Sequence, residues 1–305
     1  MGTDRRQSGG EVRQRARRVM ALLLLVVLLL LVAMFLLGAN VASRGRSGEE
    51  DRAPSVGGGA HGAQTGQQSE VPAQGRSLSD QLRAMAETDS RFAVIVESAD
   101  EYPQELLELA LKNSDAVDFA AGYLEHRSDV VDSAAIDLEG IPVPGVIPLL
   151  MQWDSRWGYG SYGSGLMGLT GCGPTCLSMV ILGLTGNTAA NPLAVAQYSD
   201  AQGWYLPGYG SDWELMRSGA EHYCLQWQEL PLDENAMRRA LENGQVIIAS
   251  MAEGDFTDTG HFIVLSGYDS GVFRVLDPNS YSRSARTWSF ETLHDQINGL
   301  WAYWV

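Results

Sequence analysis

Leu169 to Gly183, reading LTGCGPTCLSMVILG, constrains this 305-residue chain more than any other stretch. A turn-rich Thr170-Gly171-Cys172-Gly173-Pro174 runs directly into an apolar segment of helical character. Pro174 suits a first helical turn, where its missing N–H costs nothing and its fixed φ is already helical. Cys172 therefore falls at the mouth of a helix, where unpaired backbone N–H groups and the helix dipole favour an anion. A thiolate is such an anion. Gly171 and Gly173 let other backbone approach closely, so that a substrate carbonyl reaches the sulfur. On this stretch alone two readings stand level, a cysteine nucleophile and a small buried hydrophobe. Partners elsewhere in the chain decide between them.

Charge is divided sharply along the chain. Residues 1–46 carry eight arginines against Asp4 and Glu11, a net of +6, which leaves −22 for the remainder of a chain whose total is −16. An acidic body with a single lysine, Lys112, has no basic stripe to track phosphates, so nucleic acid is not an expected partner. From Val19 to Leu37 the residues are uninterruptedly apolar, long enough to cross a hydrocarbon core as a helix. The arginines of segment 1–18 lie upstream, which predicts a cytoplasmic N-terminus and a body outside the membrane. The run exceeds the usual signal-peptide core, so an uncleaved single-pass anchor over 19–37 is expected in preference to cleavage near Ala42-Ser43. Residues 38–76 are poor in large apolar side chains and predict a flexible linker.

Residues 77–140 read as a helical segment. Leu78, Leu82 and Met85 share a face, as do Leu106, Leu109, Ala110, Val117, Ala120 and Leu124 after a break near Asn113-Ser114-Asp115. Tyr102-Pro103 marks a helix start. This stripe is core packing or docks onto the next domain. Ile141 to Pro148 is too proline-rich for a helix and opens a second region, 141–305. There helices are expected at 174–184, 192–202, 212–221 and 233–243. Strands are expected at 245–251, 261–268, 272–276, 286–290 and 300–305. Helices first and then strands with tight turns such as Asp269-Ser270-Gly271 describe an α+β domain, its helical part packed on an antiparallel sheet.

A cysteine nucleophile needs a base, usually a histidine. Of the five histidines, His261 begins GHFIVLSGY, whose neighbours read as a buried strand able to hold an imidazole rigidly. Gly260 leaves room beside it. His61 lies in the linker, His126 among charged residues, and His222 and His294 on helices, so these four read as solvated or structural. The strand Phe273–Leu276 ends in Asp277. If the two strands form a hairpin, Asp277 returns beside His261 and accepts from the ring nitrogen not facing the sulfur. The bland reading is a turn-initiating aspartate before Pro278, and Asn279 is an alternative orienting group. An oxyanion hole would draw on the Cys172 backbone N–H and on Gln152, at the end of an apolar segment rich in aromatics. Trp153, Trp157, Tyr159 and Tyr162 stand equally between a substrate groove and core.

With Gln152, Cys172, His261 and Asp277 in this order, the chain resembles the C39-like cysteine peptidases, a papain-like group. The resemblance rests on PLLMQWDSRWGYGSYG (148–163), GCGPTCLSMVILGLTG (171–186), SMAEGDFTDTGHFIVLSGY (250–268) and VLDPNSYSR (275–283). It extends to membrane-tethered members of Gram-positive bacteria, where an anchor and a helical segment precede the domain. The resemblance implies a thiolate–imidazolium pair from Cys172 and His261, oriented by Asp277, with Gln152 in the oxyanion hole. It implies a cell-surface cysteine peptidase acting on peptide or protein substrates, cell-wall peptides among them, without cofactor or metal. Gln152 lies 20 residues before the cysteine, further than in papain. No ATP-binding cassette comes after the domain, so export-coupled leader processing is not implied. Peptidoglycan-peptide hydrolysis or amide transfer on the same fold, and a catalytically silent binding module, are the alternatives. Gly171, Gly173, Trp153 and Gly260 are the expected cleft residues. Cys176 and Cys224 are expected as separate buried thiols rather than a disulfide, and no Cys/His spacing suggests zinc.

Overall fold

The computed structural model describes residues 77–305 apart from 139 and 142–144. Its first part is a group of short helices: α1 (Leu78–Ala86), α2 (Arg91–Glu97), α3 (Gln104–Lys112), α4 (Val117–Ala121) and α5 (Tyr123–His126). The Ser77 hydroxyl accepts from the Asp80 N–H to cap α1, and Pro103 precedes α3, where the Tyr102-Pro103 step predicts a start. Leu82, Phe92, Ile95, Leu106, Val117 and Phe119 are buried together with Met151, Trp153 and Tyr159 from beyond the proline-rich break. The apolar stripe is thus its own core and a docking face at once. The helical segment and the region from 141 onward belong to one compact unit.

After a small hairpin, β1 (Ser161–Tyr162) with β2 (Gly165–Leu166), the chain enters α6 (Met167–Thr170), α7 (Cys172–Thr185) and α8 (Pro192–Ala201). Every residue of α7 from Gly173 to Gly183 is buried, as a helix apolar on all sides must be. It stops at Gly186, whose left-handed φ of 70° closes the last turn. A second small hairpin joins β3 (Tyr205–Leu206) to β4 (Gly210–Ser211). Where the sequence predicts one helix over 212–221 there are two pieces, a 3₁₀ turn (Trp213–Met216) and α9 (Ser218–His222). They are separated by Arg217, whose φ of −104° and ψ of −88° leave the helical region.

The remaining elements are β5 (Gln226–Glu229), α10 (Glu234–Glu242), β6 (Val246–Met251), β7 (His261–Asp269), β8 (Val272–Leu276), α11 (Tyr281–Ser284), β9 (Thr287–Ser289), α12 (Phe290–His294) and β10 (Ile297–Trp304). The strands form one antiparallel sheet ordered β5-β10-β6-β7-β8-β9. Alternate side chains enter two cores. Ile248, Val264, Trp301 and Tyr303 pack with α7, while Ile247, Ala249, Leu265 and Val275 pack with Met237 and Ala240 of α10. The α+β expectation is met, with the two small hairpins and one strand of the large sheet missed. Gln226-Trp227-Gln228-Glu229 is a largely exposed edge strand with no apolar alternation to announce it.

The turn between β7 and β8 has Ser270 at φ 52° and Gly271 at φ 88°, the positive pair that a two-residue hairpin needs. Among the described residues no helix is long and apolar enough to cross a membrane. The basic segment 1–18, the apolar run 19–37 and the linker 38–76 lie outside the described residues.

Candidate active site

Cys172 is the first residue of α7, with Gly171 as the residue before it. Neither neighbouring glycine tolerates a side chain. A Cβ on Gly171 would meet the Met167 carbonyl oxygen at 2.5 Å, and one on Gly173 would meet the Ser211 hydroxyl at 2.5 Å. These close approaches fix the helix mouth against α6 on one side and against β4 on the other. The thiol itself is half-exposed, whereas Cys176, one turn further on, is fully buried. Burial pushes the Cys176 thiol well up, which makes it a packing residue.

His261 opens β7, paired in register with Met251 of β6, the strand whose six residues are all buried. The two strands hold its ring with 7% of its surface exposed. Its Nε2 lies 2.8 Å from Asp277 Oδ1, because the β7–β8 hairpin brings the residue after Leu276 back beside the start of β7. Asp277 is fully buried and its carboxylate is saturated. Oδ1 also accepts the Asn279 N–H at 2.8 Å, and Oδ2 accepts from Arg283 Nε at 2.5 Å. Burial disfavours the charged carboxylate, yet His261 and Arg283 outweigh it and hold its pKa below the usual value. Burial likewise works against a charged imidazole. The Asp277 charge and hydrogen bond, joined by Cys172 beside the ring, overcome it and raise His261 to about 10.

Cys172 and His261 therefore share one cleft of about 510 Å³, whose walls also include Tyr209, Trp213, Ser250 and Asn298. Gly260 and Thr259 form part of the wall, as expected for the loop entering the histidine strand. Asn279, the alternative orienting group, is turned elsewhere. Its backbone and side-chain oxygens accept from Asn113 Nδ2 at 2.6 and 3.1 Å.

Three sequence expectations change. Trp153 is not a cleft residue. It is buried against the helical segment, edge-on to Tyr281, because its flanking residues join the core that the segment forms. Trp157, Tyr159 and Tyr162 are buried as well: Trp157 Nε1 donates to the Met151 carbonyl, Tyr159 donates to the Phe119 carbonyl, and the Tyr162 hydroxyl bonds to Ser199 and Ser211. Core takes all four. Gly171 and Gly173 shape the helix mouth by close packing and are not among the cleft-lining residues. Cys224 is exposed rather than buried, in a left-handed turn at φ 62°, and the three cysteines are unpaired.

Gln152 lies near the cysteine but does not line the cleft. Its Nε2 donates to the carbonyls of Gly168 (2.9 Å) and Leu169 (3.3 Å) in the turn before Cys172, and its buried Oε1 has no partner. His126 pairs with Asp129 at the surface, His222 stacks on Tyr198, and His294 is exposed beside Asp295. Among the described residues no cluster of three or more His, Cys, Asp or Glu is placed to hold a metal ion.

Sequence reasoning missed Arg283, the cation on the far side of Asp277, and Asn113. Arg283 carried one weak signal, a basic side chain six residues past the acid. Asn113 carried none beyond its position at a helix break.

A cysteine at a buried helix's mouth, facing a strand-borne histidine backed by a buried carboxylate, is the arrangement of a papain-like peptidase fold. Comparison with known families agrees. The chain belongs to the Peptidase_C39 like family, whose model matches residues 146–304. Among solved structures, one described as a C39-like peptidase from Bacillus anthracis aligns at 16% identity with a TM-score of 0.35. That alignment covers 44% of this chain and 88% of the other, and at that score it adds nothing to the family match. Comparison with curated proteins gave no match.

Proposed function

We propose that the chain is a cysteine peptidase that hydrolyses peptide or amide bonds through Cys172, His261 and Asp277. The observation that carries this reading is the two-sided setting of His261. Its Nε2 is held 2.8 Å from a buried carboxylate while Cys172 lies beside the ring in an open cleft. A histidine fixed in this way has one tautomer and one orientation available for proton transfer.

In the proposed reaction the Cys172 thiolate attacks the substrate carbonyl carbon and the C=O electron pair moves onto oxygen. The backbone N–H at the α7 mouth receives that oxyanion. The second donor implied by the resemblance is Gln152, whose Nε2 bonds the Gly168 and Leu169 carbonyls in the turn just before Cys172. His261 then protonates the leaving amine as the C–N bond breaks, leaving a thioester on the sulfur. Water deprotonated by His261 adds to the thioester, the C–S bond breaks, and the acid product departs. The apolar run 19–37 serves as a single-pass anchor that places this body outside the cell. Exported protein segments and cell-wall peptides are the substrates within its reach.

The test is covalent labelling of the full chain with an iodoacetamide or epoxysuccinyl probe, read at the peptide containing Cys172. Labelling that is fast in the wild type and slowed at least tenfold by His261→Ala is the expected result. Equal labelling of the two folded proteins would overturn it.

A further inference from the structure

The helical segment lies outside the residues matched by the family, yet its middle reaches the catalytic loops. At the end of α3, Asn113 turns its side chain two ways. Oδ1 accepts the Asp115 N–H and starts a 3₁₀ turn over Ser114–Ala116. Nδ2 donates to the Asn279 carbonyl at 2.6 Å and to its Oδ1 at 3.1 Å. Two residues on, Asp115 Oδ2 accepts the Tyr281 N–H at 3.1 Å. Both contacts fall on the loop after Asp277, and the Asn279 N–H is itself one of the donors to the Asp277 carboxylate.

Asn113 is therefore linked by hydrogen bonds to Asn279, and the backbone of Asn279 carries that link to its own N–H, to Asp277 and on to His261. The segment leaves the cleft open, since no residue of 77–137 is among those lining it. Occlusion is thus not what this segment does at the site.

Resting on the peptidase reading above, we propose that Asn113 is a positioning residue: the helical segment acts as a latch that holds the Asp277 loop in register with His261. The Gln152 N–H also ties this loop to the body, donating to the Pro278 carbonyl at 2.8 Å, and Asn113 holds the residue next along, whose own N–H reaches Asp277. An amide donor at 2.6 Å on a half-buried carbonyl fixes the loop's height, and with it the direction of the Asn279 N–H. Small displacements of an orienting group are costly in a buried charged pair. The groups that act on the His261 ring are Asp277 from the loop after β8 and Cys172 from α7, with Arg283 of α11 acting through Asp277.

Asn113→Ser tests this, because serine retains a short acceptor able to start the 3₁₀ turn but cannot reach Asn279. The full chain is alkylated with iodoacetamide across a range of pH, and Cys172 is read by peptide mass spectrometry so that exposed Cys224 does not interfere. Thermal unfolding is followed on the same samples. The expected result is Cys172 labelling slowed by about tenfold at neutral pH, with the rise of labelling with pH moved toward higher pH and the melting temperature within a degree or two of wild type. Asn113→Gln, which keeps the amide donor, should recover part of the rate. A wild-type pH profile in Asn113→Ser overturns the latch, as does a slowdown that only tracks a fall in melting temperature. His261→Ala run in parallel separates the two readings. If it labels like wild type, the catalytic reading falls and the latch with it. If it is slow while Asn113→Ser is not, only the latch falls.

Discussion

The two sides of the cleft are built by different physics. On the cysteine side everything is steric: α7 is buried along its length, and two glycines admit the Met167 carbonyl and the Ser211 hydroxyl to distances no side chain permits. On the histidine side everything is electrostatic: a fully buried carboxylate sits between an imidazole and a guanidinium, with a backbone N–H completing its shell. A nucleophile needs a fixed place, which packing supplies. A base needs a tuned charge, which packing alone cannot supply, because burial by itself would lower the histidine and neutralise the acid. The difference teaches that the two sides should fail in different ways.

The largest expected effect is on the electrostatic side. Asp277→Asn keeps the shape and removes the charge, leaving Arg283 facing a neutral amide. Breaking a buried pair in this way costs roughly 3–5 kcal/mol. Loss of the orienting carboxylate lowers turnover by a factor on the order of 10⁴ where a comparable histidine has been tested. The pH dependence supplies a second check. His261 is raised above its ordinary 6.5, so its contribution to stability is fully present below pH 6.5 and is lost as pH rises toward about 10. Asp277 is lowered from 3.8, so its contribution is present above 3.8 and is lost as pH falls through its folded value. Urea midpoints measured from pH 3 to 10 should show both slopes in the wild type and neither in Asp277→Asn. If both slopes survived, the comparison between the two sides would fail.

A smaller effect is expected on the steric side. Gly171→Ala introduces a Cβ at 2.5 Å from the Met167 carbonyl oxygen, a backbone atom that cannot simply rotate away. Overpacking of this kind costs about 1–3 kcal/mol. The same change should displace Cys172 and slow its labelling without altering the pH at which labelling rises. Cys172 labelling profiles decide this, and a shifted rise with pH in Gly171→Ala would mean that packing and charge are not separable here.

What could be read from the sequence divides in the same way. The steric side is local, and its signals are contiguous: a Gly-Cys-Gly-Pro turn, an apolar helix and a glycine beyond it. The β7–β8 hairpin was legible too, because two apolar runs flank Asp269-Ser270-Gly271, although a bulge between Leu265 and Gly267, which nothing in the sequence announces, shifts the register on the way to His261 and Asp277. Asn113 was not, since it acts on a residue that only tertiary folding brings near, 166 positions away, and Arg283, only six residues past Asp277, is aimed at it by the short helix α11, which no apolar pattern announces. Trp153 misled for a related reason. An aromatic beside a site-like glutamine reads the same whether it faces a groove or a helix that packs over it, and α1–α4 had to be placed before it could be assigned to the core.

The smallest effect sharpens the comparison most finely. Lys112, adjacent to Asn113, donates to Asp258 at 2.8 Å, and Asp258 lies in the loop that leads into His261. On paper this is a second link between the helical segment and the histidine side. Its side chains are 65% and 77% exposed, so water and salt screen the pair and both long side chains lose freedom in making it. Asn113, by contrast, donates from a half-buried position. Lys112→Ala should therefore leave the melting temperature and the Cys172 labelling profile unchanged, at low salt and in 0.5 M sodium chloride alike, the latter being a concentration at which screening reaches only about 4–5 Å. If Lys112→Ala slowed labelling as much as Asn113→Ser, and salt did the same to the wild type, the histidine side would be held by exposed charge rather than by directed hydrogen bonds.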